Sequence, residues 1–425
     1  MIYIKNASQL ITVGGASGSP KRGAEMEDLQ LIDQGGAVVD NGVFVFVGRD
    51  EEAERVAERY PPEEVQVIDA SGRIVTPGLI DPHTHLVFAG SREFELEKRL
   101  KGVPYMEIHR QGGGILHSTR QTRAASEEQL VLESKRRLDR FLQHGVTTVE
   151  AKSGYGLTVE HELKQLRVAG ALNAVHPVDV VPTFMGAHAV PEDYQSNPDE
   201  YVQLVIEEMA PRVAREGLAH FIDVFCEKGV FTVAQSRRIL EAGKRLGLKP
   251  KLHADELAPY GGAELAAEIG AVSADHLLQA SEAGIRAMAK AGVIGVLLPG
   301  TAFYLMAQPA NARYMIESGL PVSLSTDCNP GSSPTESLPF IMNLACFSMK
   351  MTPAEVITAC TINAAHAIGM GGRIGSIEAG KQADAVMFDA PNYHYLQYHY
   401  GVNLVHTVLK KGKVIIENGE RGEPS

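Results

Sequence analysis

Two histidines stand one residue apart at the end of an apolar run, in Leu79-Ile80-Asp81-Pro82-His83-Thr84-His85. On a strand, residues i and i+2 face the same side, so His83 and His85 can turn both imidazoles toward one point. Imidazole nitrogens suit a zinc- or iron-class ion, which makes metal binding the first chemistry to consider. An isolated pair of this kind also occurs in polar loops, so the rest of the chain has to decide. His253, His276 and Asp327 each close a further β-rich run, and His188 follows Phe184-Met185-Gly186-Ala187. One histidine after a strand is an ordinary loop residue. Several in the same position on different strands, closed by an aspartate, point to a shared metal centre. An ion held by imidazoles and one carboxylate, with a position left open, brings the pKa of bound water toward neutrality. Such water can attack an amide or amidine carbon, so the expected chemistry is hydrolysis. Asp327 can take the proton of that water. Glu256, three residues beyond His253, can shuttle a proton or bond a ring nitrogen. The plainer alternative for Glu256 is a first-turn helix carboxylate favoured by the helix dipole.

These residues need a frame that brings distant strand ends together. From about 77 to 376 the sequence alternates β-rich runs with helical ones. The first run is at Leu79-Ile80, and others follow at 147–150, 178–183, 221–225, 250–253, 271–276, 293–298 and 322–327. Between them, 126–142 opens with a capping signal at Ser126, and 199–215 carries apolar residues at helical spacing. Eight strands alternating with helices predict an α/β fold, a (β/α)8 TIM barrel, whose active site forms at the C-terminal strand ends. The doubly wound alternative would need a Gly-rich turn after the first strand, and the Gly371–Gly375 cluster follows no strand. Residues 1–76 and 377–425 are both β-rich, with a hairpin signal at Asp40-Asn41-Gly42. Neither end holds a complete core alone. The two are expected to pair into one small β-sandwich domain, with the barrel inserted between them.

Composition narrows the function classes. The chain has 425 residues, 44% of them hydrophobic, and a net charge of −12, which argues against a nucleic-acid partner. No apolar run reaches membrane-spanning length, and the opening residues lack the layout of a signal peptide. Cys226, Cys328, Cys346 and Cys360 are scattered, which suits reduced thiols in a cytoplasmic protein. His109, His117, His144, His161, His176 and His220 lack a partner pattern and read as ordinary histidines.

The order Asp81-Pro82-His83-Thr84-His85, His253-x-x-Glu256, His276 and Asp327 resembles the amidohydrolase superfamily. Residues 375–384 resemble that superfamily's return to its small domain. More narrowly, the chain is similar to the imidazolonepropionase family over 85–92, 111–115, 150–156, 184–188 and 325–332, and the similarity runs nearly end to end. The resemblance implies ring opening of 4-imidazolone-5-propanoate by water to N-formimidoyl-L-glutamate, in histidine breakdown. It implies one divalent ion per chain, zinc or iron, held by His83, His85, His253 and Asp327, with His276 serving the reaction rather than the metal. Arg92, Tyr155, His188, Glu256, Asn329, Gly331 and Ser332 are the substrate contacts it implies. A guanidinium grips a carboxylate with a two-pronged fork, which suits Arg92 to the propionate arm. Asn329 and Gly331 fall to the new carboxylate, Ser332 to the ring, and the Glu256–His276 pair to protonating the departing nitrogen. A homodimer is also implied.

Two-metal members of the superfamily use a bridging group from the fourth strand, and Phe225-Cys226-Glu227-Lys228 offers candidates, but the narrower family implies one ion. The nearest rival is a deaminase of a purine- or pyrimidine-like ring, which shares the ligand pattern but releases ammonia. Arg92 speaks against it, because nucleobases carry no carboxylate. A metal-free binding protein on the same frame is the third reading, and the full ligand set argues against that. Gly112-Gly113-Gly114 is expected to be either a cover over the site or a plain loop.

Overall fold

The computed structural model describes residues 1–103, 107 and 113–421. Strands β1 (Ile2–Ile11), β2 (Leu31–Asp40), β3 (Val43–Arg49), β4 (Gln66–Asp69) and β5 (Ile74–Pro77) come first. Asn41 and Gly42, with φ of 49° and 79°, make the tight turn between β2 and β3. Both are left-handed, as the favoured two-residue hairpin requires and as Asn-Gly supplies with least strain. At the other end of the chain lie β14 (Ala385–Phe388), β15 (Val405–Lys410), β16 (Lys413–Glu417) and β17 (Glu420–Arg421). The two groups join where β14 runs antiparallel to β5, completing one nine-stranded sheet from both chain ends. Its core is apolar, with Leu10, Phe44, Val75, Met387 and Leu409 all buried.

Between these groups run β6 (Leu79–Asp81), β7 (Val146–Lys152), β8 (Asp179–Ala187) and β9 (Phe221–Cys226). They are followed by β10 (Lys249–Ala254), β11 (Ser273–His276), β12 (Ile294–Leu297) and β13 (Val322–Leu324). All eight pair in parallel and in chain order, with both faces buried, as in a (β/α)8 barrel. The ring closes between its first and last strands through a single bridge, Thr84 to Cys328, where the His85 N–H donates to the Cys328 carbonyl at 2.9 Å. Asp81 fastens the same seam. Its carboxylate accepts from the Ser325 hydroxyl and, at 2.6 Å, from the Thr326 hydroxyl.

The helices form where the sequence signals them. Ser126 Oγ accepts from the Gln129 N–H and caps Glu127–Gln143. The stretch expected at 199–215 is a helix with an inserted π turn, Pro198–Leu204, Val205–Met209 and Ala210–Glu216. Pro211 explains the turn: it has no N–H to give, and its ring would strike the carbonyl of Glu207 in a regular helix. Lys410 ties the sheet to the barrel, bonding Asp384 of the chain end at 2.7 Å and Asp179 of β8 at 2.9 Å. Among the described residues no helix is long and apolar enough to cross a membrane.

Candidate active site

The strand ends gather three overlapping buried triads whose ligand atoms lie together, His83–His85–Asp327, His83–His253–His276 and His85–His188–His253. His83 Nδ1 lies 2.6 Å from Asp275 Oδ2, and His253 Nδ1 lies 3.0 Å from Asp223 Oδ1. Each of these rings therefore sets Nδ1 against a carboxylate and turns Nε2 inward. The inward atoms then face one another. His83 Nε2 is 3.4 Å from Asp327 Oδ1, and His85 Nε2 is 3.8 Å from the same oxygen. His85 Nε2 and His253 Nε2 are 3.4 Å apart. His83 Nε2 and Asp327 Oδ1 are buried with no hydrogen-bond partner. Imidazole nitrogens and a carboxylate oxygen crowded together in a buried place are the donor set of a cation. These residues fit a divalent metal ion.

Burial shapes the charges. It drives the pKa of His83, His85 and His276 well below the usual histidine range and that of His188 to about 3, leaving neutral rings. Burial also lifts Asp327 to about 6, against the pull of a 2.5 Å bond from the Thr301 hydroxyl. Glu256 rises to about 8, by burial first and then by the negative charge of Asp327. Its Oε2 lies 3.6 Å from His276 Nε2. Backbone strain gathers here too. Asp255, His276, Leu277 and Asp327 all have positive φ, a conformation costing about 1–3 kcal/mol each that persists only where packing enforces it.

Over this cluster opens a cavity of about 390 Å³, lined by His85, Tyr155, His188, Glu256, His276 and Asp327 and by Arg92, Asn329, Gly331 and Ser332. Arg92 is held by a two-pronged pair, Nε and Nη2 donating to Glu95 at 2.8 and 2.9 Å. Arg99, also on the cavity wall, donates to the same carboxylate at 2.9 Å. Burial disfavours the charge on Glu95, but Arg92 and the Gly114 N–H outweigh that and hold its pKa down to about 2. Two guanidiniums on the cavity wall therefore share this carboxylate. Gly331 passes under Arg92 so closely that a methyl group there would collide with the guanidinium.

Tyr155 sits in a loop whose N–H groups at Gly154, Gly156 and Leu157 all donate to the buried Glu162, at 3.0, 2.8 and 2.7 Å. His188 donates from Nδ1 to the Gly154 carbonyl at 3.0 Å and stacks on His85 with centroids 4.7 Å apart. Asn329 braces the last loop, its Oδ1 accepting from the Gly331 and Ser332 N–H groups, each at 2.8 Å.

The amidohydrolase family profile matches residues 74–415. The chain is 64% identical to an imidazolonepropionase from Shouchella clausii, over 99% of this chain and 94% of that one. It is 61% identical to one from Geobacillus kaustophilus, covering 99% of both. The chain belongs to the imidazolonepropionase family. Solved structures share the fold at low identity. An adenosine deaminase from Xanthomonas campestris with bound zinc aligns at a TM-score of 0.72 and 20% identity, over 100% of this chain and 94% of that one. Atrazine chlorohydrolase from Arthrobacter aurescens, complexed with zinc, aligns at 0.66 and 17%, over 100% and 97%.

As an imidazolonepropionase-family hydrolase, the chain carries supports at this site that its sequence did not announce. They are Asp81 at the seam, Asp223 and Asp275 behind the histidines, Glu95 and Arg99 beside Arg92, and Glu162 beneath Tyr155. Glu95 and Arg99 stand three and seven residues after Arg92, the spacing of an ordinary helical ion pair, which hid them. Of the fourth-strand candidates, Glu227 accepts from the Lys228 and Leu257 N–H groups, each at 2.9 Å, and braces the Glu256 loop. Gly112 of the expected cover, with His109 and Gln111, lies outside the described residues. Gly113 and Gly114 are buried, and the Gly114 N–H donates to Glu95 at 2.7 Å.

Proposed function

We propose that the protein opens the ring of 4-imidazolone-5-propanoate with water, giving N-formimidoyl-L-glutamate, at a single divalent ion held by His83, His85, His253 and Asp327. The observation that carries this reading is a set of inward imidazole nitrogens and one carboxylate sharing a cavity with a guanidinium pair. Zinc and iron both suit that donor set. One ion is favoured because Glu227 spends both oxygens on backbone N–H groups. When bound, such an ion polarises a carbonyl and lowers the pKa of water.

The chain's own groups do the rest. Arg92 binds the propionate, and its partner Glu95 keeps the fork aimed. Tyr155, His188 and Ser332 line the ring's cavity, and Asn329 and Gly331 receive the new carboxylate. As the water oxygen bonds to the ring carbonyl carbon, Asp327 accepts the water proton. The cyclic C–N bond breaks, and the departing nitrogen takes the proton of Glu256, whose Oε2 stands 3.6 Å from His276 Nε2. Both nitrogens stay in the product, so no ammonia is released.

The test supplies 4-imidazolone-5-propanoate and follows loss of its ultraviolet absorbance beside an ammonia assay. Absorbance should fall with no ammonia. Release of ammonia in step would favour the deaminase, and an unchanged spectrum would end both readings. Asp327→Ala should abolish turnover. Arg92→Ala should raise KM by about ten- to a hundredfold, the worth of a hydrogen bond to a charged group.

A further inference from the structure

Inside the barrel, beneath the histidines, five charged side chains have no solvent exposure: Glu150, Lys152, Asp223, Lys251 and Asp275. Burying ions costs several kcal/mol apiece, and apolar residues of the same volume would fill the space at least as well. Their arrangement is specific. Lys152 Nζ donates to Asp223 Oδ2 at 2.7 Å and to Glu150 Oε1 at 2.9 Å, and lies 3.4 Å from Asp275 Oδ2. Asp223 offers its other oxygen to His253, and Asp275 offers the same Oδ2 to His83. Lys251 reaches Glu150 at 3.0 Å and the Pro82 carbonyl at 3.4 Å, and hydrogen-bonds neither aspartate.

We infer that Lys152 is a positioning residue for the metal centre, fixing Asp223 and Asp275 so that His83 and His253 both keep their protons on Nδ1 and present Nε2 to the ion. An ammonium group carries three N–H donors and no acceptor, so it can anchor three carboxylates and compete with none of them. One side chain thereby sets two ring orientations, His83 just past β6 and His253 on β10. Asp275 is also held by the Ser273 hydroxyl at 2.7 Å and Asp223 by the His253 N–H at 3.1 Å, so each aspartate has one anchor of its own beside the shared ammonium.

The inference rests on the metal-binding reading above, and the test separates the two. Metal-stripped protein is titrated with zinc in competition with a chromogenic chelator. Lys152→Met should weaken zinc binding about 10- to 100-fold, the usual effect of disturbing a ligand's supporting partner. The double variant Lys152→Met/Glu150→Gln, which removes one charge of each sign, should be as weak, because balancing charge does not re-aim the aspartates. Lys251→Met removes a lysine from the same network and should stay within about threefold of wild type, well below that range. If either Lys152 variant binds zinc like Lys251→Met, the inference is overturned. If the wild-type chain cannot hold zinc against the chelator, the metal reading itself falls. A second measurement needs no substitution. Two-bond proton–nitrogen spectra of zinc-loaded wild type should show the ring proton on Nδ1 of His83 and His253, and an Nε2–H at either would overturn the proposal.

Discussion

Glu256 and Asp327 are two carboxyls in one cavity whose proton affinities differ, about 8 against about 6. The higher one still holds its proton near neutrality, when the lower is largely ionised and ready to receive one. The sign of the pH dependence follows. Above about 8 Glu256 is ionised and has no proton to give, so kcat/KM should descend as pH rises through that value. In Glu256→Gln the rate should be lower throughout, and this alkaline limb should vanish from the pH–rate profile. A limb that persists would assign it to another group. At this scale the sequence told much about which residues cluster and little about what holds them. His83 and His85 share a face by simple alternation, and His253 and Asp327 end β-rich runs. Asp223, by contrast, sits inside Phe221-Ile222-Asp223-Val224-Phe225 and looks like the polar face of a half-exposed strand. Only the pairing of β9 with β10, which brings it beside His253, reveals its task.

Loops carry the substrate side of the site, and each is braced by a buried acceptor. The Tyr155 loop depends on Glu162, one carboxylate gathering three N–H groups. Glu162→Gln swaps one oxygen for an amide donor that must face N–H groups, leaving a buried donor unpaired at a cost of about 1–3 kcal/mol. Urea unfolding of metal-stripped protein should register that loss, and KM should rise because Tyr155 is no longer fixed. An unchanged midpoint would mean that the loop holds itself. Elements of this kind were half legible. Strand positions followed from β-rich runs between helical stretches, and Ser126 marked its helix correctly. The brace under Tyr155 was not legible, because a glutamate early in a helix is what the dipole favours anyway. The π turn near Pro211 escaped for a related reason: periodicity over 199–215 fits a helix whether or not one turn is widened.

The whole molecule rests its barrel on a sheet assembled from both chain ends, and Lys410 is the bolt between them. It is buried against Asp384 and Asp179. Lys410→Met leaves Asp179 to the Lys411 ammonium and Asp384 to neutral donors, Gln382 and the Lys411 N–H, and should cost about 1–3 kcal/mol, read from urea unfolding. KM should not move, because the junction lies at the opposite end of β8 from His188. A shift in KM would show that the sheet steers the site. The pairing of the two ends was legible because neither held enough apolar surface alone, whereas its register, β14 against β5, depends on contacts more than 300 residues apart in the chain. The seam of the barrel has a further meaning for assembly. His83 and His85 lie on one lip of it and Asp327 on the other, so the proposed four-residue site is complete only once the eighth strand has emerged and docked beside the first. Metal uptake is then a clasp on a finished ring, and fragments that stop short of Asp327 should remain open and unloaded.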